Sequence, residues 1–86
     1  MPRADYTETP AELATLGNAM RSLREAKGLK QIELATAAGV AESQVSDIER
    51  GKNNPGWLLL ARLLDGLGVD IAEFASAYAQ AERRSE

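Results

Sequence analysis

The chain has 86 residues, 13 acidic against 10 basic side chains, and a formal net charge of −3. That describes one small domain with a modest core, and it excludes a protein that holds polyanions by bulk positive charge. Cysteine and histidine are both absent, which removes disulfide frameworks, thiolate metal sites and the commonest general base, so neither a metal site nor a cofactor is expected.

Residues 1–8 have no hydrophobic period and read as a flexible N-terminal arm. Thr9, Pro10 and Glu12 then form a helix start: a capping hydroxyl, a proline suited to the first position, and a capping-box carboxylate. Leu13, Leu16, Met20 and Leu23 follow at helical spacing, so a first helix is expected over 10–27, stopped by Gly28. A second helix covers 31–38, with Leu34, Ala35 and Ala38 inward and Gly39 at its end. A third covers 42–50. Ala41, Val45, Ile48 and the stem of Glu49 face inward, while Glu42, Ser43, Ser46, Asp47 and Arg50 fall on the other side of the wheel. Gly51-Lys52-Asn53-Asn54 has turn chemistry. With Asn54 as cap and Pro55 as first residue, a fourth helix is expected over 55–67, its core face made by Trp57, Leu60, Leu63, Leu64 and Leu67.

Asp70 and Glu73 form a second capping box, and Val69 and Phe74 sit at staple positions. Ile71, Phe74, Ala75, Tyr78 and Ala79 continue an apolar stripe on a fifth helix. Residues 82–86 form a polar tail expected to fray, which leaves 9–81 as the folded domain. No strand pattern appears, so the fold class is all-α with five short helices. The longest apolar run, residues 57–61, is too short to cross a bilayer, and no charged-then-apolar leader opens the chain. A cytoplasmic protein is expected.

Charge is unevenly distributed. Residues 21–52 hold six basic and five acidic side chains and are the only third of the chain that is not net acidic. That third contains the second and third helices, joined by Gly39-Val40-Ala41 as a helix-turn-helix unit. The stretch LKQIELATAAGVAESQVSDIERGKNNPGWLLLARLLDGLGVDIAEF resembles the phage repressor/Cro-like, or XRE-like, helix-turn-helix family. The positions that carry the likeness include Gln31, Leu34-Ala35, Gly39-Val40, Ser43, Val45-Ser46, Ile48 to Gly51, and Asn54-Pro55. Leu16-Gly17, Met20, Leu23-Arg24 and Gly28 fit upstream, so the resemblance spans about residues 13–74.

The resemblance implies a five-helix repressor-like domain that binds double-stranded DNA, with the third helix in the major groove. Glu42, Ser43, Ser46 and Asp47 match the positions that face base edges. Gln31 matches a phosphate-holding position, where the helix N-terminus adds donors. Gln44 lies on the flank and could reach a phosphate or an adenine. Arg50, Lys52 and Asn53 match the loop that holds the backbone, and Arg24 and Glu49 match a structural salt bridge. Two departures stand out: the hydroxyl residues that usually cap the second and third helices are replaced by Lys30 and Ala41. A lost side-chain cap typically costs about 1 kcal/mol. Lys30 can compensate as a phosphate contact beside Gln31; Ala41 cannot.

With so few cations, one subunit should bind weakly. Useful binding is expected to need a homodimer on two half-sites about one helical turn apart. Leu58 and Leu59 lie off the core face of the fourth helix and, with Tyr78, are the candidate dimer surface. The expected function is a sequence-specific DNA-binding transcriptional regulator, a dimeric repressor. The competing reading is an antitoxin or adaptor that uses the same domain to contact a protein such as a toxin. Catalysis is not expected. Glu42 and Asp47 are five residues apart and do not stack on one face, Ser43 and Ser46 have no neighbouring base, and no phosphate loop or metal cluster is present.

Overall fold

A computed structural model describes residues 7–84, and the proposed arm at 1–8 falls mostly outside them. Five helices follow in order: α1 (Pro10–Ala26), α2 (Gln31–Ala38), α3 (Glu42–Glu49), α4 (Gly56–Leu67) and α5 (Ile71–Arg84). The described residues contain no strand. α1 begins as its sequence dictates. The Thr9 hydroxyl accepts from the Glu12 amide at 3.1 Å, and the Glu12 carboxylate accepts from the Thr9 amide at 2.9 Å. α5 begins with the same reciprocal pair, Asp70 and Glu73.

The core is built where α1, α2, α3 and α4 meet. Met20, Leu34, Val45, Ile48 and Leu63 are its largest fully buried side chains. α1 packs on α3 and α5, and α2 packs on α3 and α4. Two glycines let these helices approach closely. A Cβ at Gly17 would stand 2.5 Å from the Ile48 carbonyl oxygen, and one at Gly66 would stand 3.0 Å from the Ala38 nitrogen. Gly39 takes φ 72° at the end of α2, a left-handed turn that redirects the chain into α3.

Several expectations need correction. α4 starts at Gly56, one residue later than expected, so Pro55 and not Asn54 stands at the cap position and the helix has no side-chain cap bond; Asn54 Oδ1 accepts from the Gly56 amide at 3.3 Å just ahead of it. Trp57, expected in the core, is 59% exposed. It sits in the first turn, on the flank of a face whose register is fixed by Leu63, Leu64 and Leu67 against α2. Leu59, expected to lie off the core, instead packs half-buried against it. On α5 the inward stripe is Phe74, Ala77, Tyr78 and Ala81, whereas Ile71 is 54% exposed and Ala75 is also exposed. α5 also runs on to Arg84, past the expected boundary at 81, and Arg84 donates to the Ser22 hydroxyl of α1 at 3.3 Å.

Candidate nucleic-acid interface

α3 is the element that separates core from surface. Val45, Ile48 and Glu49 are its buried residues; Glu42, Ser43 and Gln44 are exposed, and Ser46 and Asp47 are half-covered. The four expected base-facing residues therefore share the side of α3 that takes no part in the core. Their side chains contribute two carboxylates and two hydroxyls.

The helix is held from behind by one carboxylate. The Glu49 side chain is fully covered, and Arg24 grips it with two hydrogen bonds, Nε to Oε2 at 2.7 Å and Nη2 to Oε1 at 3.0 Å. Such a two-pronged guanidinium–carboxylate pair fixes orientation as well as charge. Gln31 Nε2 donates to the same Oε1 at 3.0 Å, and Arg21 approaches it at 3.5 Å. Arg24 also donates to the Leu29 carbonyl oxygen at 2.7 Å, so one side chain ties α1, the loop before α2, and α3 together. Burial pushes the Glu49 carboxyl up, but the hydrogen bonds from Arg24 and Gln31, with the charge of Arg24, outweigh it and hold the group below its ordinary value. The hydrogen bond to Glu49 likewise raises Arg24.

Gln31 is thus engaged inward, where the sequence had suggested a phosphate contact. Its partnership with Glu49 carries no local signal, since the two residues are eighteen apart. On the outer face Arg50 and Asp47 form an ion pair one turn apart, Nη2 to Oδ1 at 2.9 Å. The sequence had given these two residues separate roles, one on phosphate and one on bases. Lys52 and Asn53 are exposed in the loop beyond, and Lys30 is exposed at the start of α2.

The missing caps are partly replaced. Neither Lys30 nor Ala41 makes a side-chain cap bond. The N3 residue of each helix instead reaches back: Glu33 accepts from the Lys30 amide at 2.7 Å, and Gln44 Oε1 accepts from the Ala41 amide at 2.9 Å. The signal for both was present, because an acidic or amide residue three after the cap is half of a capping box.

A family model described as a helix-turn-helix domain matches residues 15–77. An uncharacterized HTH-type transcriptional regulator, y4dJ of Sinorhizobium fredii (strain NBRC 101917 / NGR234), is 34% identical over 61 residues, covering 71% of this chain and 79% of that protein. The immunity repressor protein of Bacillus phage phi105 is 31% identical over 58 residues, 67% of this chain but only 40% of the repressor's length. Among solved structures, the restriction-modification controller protein C.AhdI from Aeromonas hydrophila superposes with a TM-score of 0.71 at 36% identity, covering 74% of this chain and 97% of that one.

Proposed function

The chain belongs to the helix-turn-helix domain family, and on that premise we propose that it is a sequence-specific DNA-binding transcriptional regulator, acting as a homodimeric repressor. The observation that carries this reading is the division of α3: its inner side is locked to α1 by the Arg24–Glu49 pair, while Glu42, Ser43, Ser46 and Asp47 are left on its other side. A helix so braced is a rigid reader, and its outer residues have no structural duty in the core. In this reading those four residues meet base edges in the major groove. Lys30, Lys52 and Asn53 meet phosphates, joined by Arg50 when it leaves Asp47. The regulator and repressor descriptions of the relatives support the same role. Such a protein works in the compartment that holds the DNA. Among the described residues no helix is long and apolar enough to cross a membrane.

The subunit contact in this proposal uses α4. Leu58 is 79% exposed and Trp57 lies next to it, whereas Leu59 and Tyr78 are occupied against the core. A second copy is the fitting occupant, because one subunit has too few free cations to bind DNA tightly. Selection from a random double-stranded DNA pool at near-physiological salt tests the function. A two-fold symmetric site is the expected product; no enrichment by the folded protein would overturn the reading. Leu58→Asp should leave the fold intact, abolish the dimer in sedimentation, and weaken operator binding more than tenfold.

A further inference from the structure

We propose that Gln44 reads guanine in the major groove as a pure hydrogen-bond donor, a role that rests on the DNA-binding reading above. The geometry on which it stands is the bond from the Ala41 amide to Gln44 Oε1, 2.9 Å long. A backbone N–H can be met only by the oxygen of a carboxamide, so this bond settles which way the side-chain amide is turned. Oε1 points back to the start of α3, and the NH2 group points away. Gln44 is exposed, and among the described residues no hydrogen bond engages that NH2 group.

A glutamine reads adenine by offering donor and acceptor together, one to N7 and one to N6. The Gln44 oxygen keeps a second lone pair, but it is turned back onto the Ala41 amide and so does not face a base edge side by side with the NH2 group. Freeing that oxygen would strip the side-chain bond that, among the described residues, alone holds the start of α3, because Ala41 has nothing to cap with. What remains is a two-hydrogen donor carried on the first turn of the recognition helix, the part that meets base edges. Guanine presents two adjacent acceptors there, O6 and N7, whereas adenine presents an acceptor beside a competing donor.

Gln44→Glu separates the two halves of the side chain. One carboxylate oxygen can still accept from the Ala41 amide, and a glutamate suits a helix N-terminus, so the fold is kept. The outward donor becomes an acceptor. Parallel selections with wild type and Gln44→Glu, each checked for helicity by circular dichroism, give the test. The wild type should require guanine at one position of each half-site. The variant should lose that requirement by about tenfold and move toward cytosine, whose N4 amino group donates. Adenine at that position in the wild-type site would overturn the proposal. So would a uniform loss of affinity on all sequences, which marks a phosphate contact. If the wild type selects no sequence, the function itself fails and this proposal falls with it; the wild-type selection alone reveals that case.

Discussion

Asp47 and Glu49 are two residues apart on α3 and live in opposite surroundings. Glu49 is fully covered and gripped by Arg24 and Gln31, with Arg21 at its edge. Asp47 is half-covered, and among the described residues its side chain pairs with Arg50 alone, itself on the surface. The difference teaches what each charge is for. Glu49 converts the back of the helix into a fixed joint, since a buried carboxylate is tolerated only where its hydrogen bonds are complete. Among the described residues no buried side-chain polar atom is left unpaired. Asp47 can exchange partners at little cost, because exposed ion pairs contribute only about 0–1 kcal/mol. The three carboxylates of α3 are therefore not one puzzle: Glu49 is sealed behind the helix, Asp47 is balanced by its own arginine, and Glu42 stands exposed in the first turn, where the helix dipole favours it.

The largest effect expected from this contrast is on stability. Glu49→Ala strands Arg24 and leaves Gln31 without its acceptor, and it should cost about 3 kcal/mol in urea unfolding. That is the low end for a broken buried pair, because Arg21 beside it is half-exposed and water is near. Asp47→Ala should change stability by no more than about 0.5 kcal/mol. Equal losses in the two variants would erase the distinction between the two sides of α3.

Next in size is Gly17→Ala. Alanine is the better helix former by about 1 kcal/mol. Its Cβ would nonetheless meet the Ile48 and Glu49 carbonyl oxygens at 2.5 and 2.7 Å, which forces α1 and α3 apart. A net loss of about 2 kcal/mol is expected from thermal or urea unfolding. A neutral result would mean that the joint is looser than its geometry implies.

Acid should act on the same joint. The Glu49 carboxyl is held below its ordinary value in the folded chain, so its contribution is complete above the unfolded carboxyl's value, 4.5, and is lost as pH falls through the lower folded value. Wild-type stability should therefore decline as pH drops below about 4.5. Glu49→Gln should start less stable and show a shallower decline over that range. Parallel curves for the two proteins would place the acid sensitivity elsewhere.

Much of this was legible in the sequence. Caps, glycine stops and the apolar period gave all five helices to within a few residues, because those signals are local. The Arg24–Glu49 pair came only from family likeness, since nothing local connects residues 25 apart. The bond from Gln31 to Glu49 was hidden for the same reason: the family likeness and the helix start point Gln31 to a phosphate, and nothing local points to a residue eighteen positions on. Trp57 was misplaced because a wheel shows a stripe but not how far along the helix a neighbour extends. The Gln44 bond was readable from the three-residue spacing, yet the spacing alone does not say that a cap without a side-chain acceptor will still accept half of the box.

The smallest effect is the most informative about the outer face. In the free protein Arg50 is shared with Asp47, so a phosphate must compete for it. Asp47→Ala removes the competitor and one negative charge from the interface. Affinity for DNA of arbitrary sequence should rise a few-fold, and the dependence of log Kd on log salt should steepen by about one counterion per subunit as Arg50 gains a full phosphate contact. If Asp47 also reads a base, preference at one position of each half-site should relax in the same variant, because a carboxylate that accepts from cytosine N4 also repels the wrong edges. Binding that tightens without any loss of preference would make Asp47 only a restraint on Arg50. Binding that weakens on the operator while staying constant on other DNA would make it a reader. In both cases the stability of Asp47→Ala should match wild type, which keeps the outer face separate from the joint behind it.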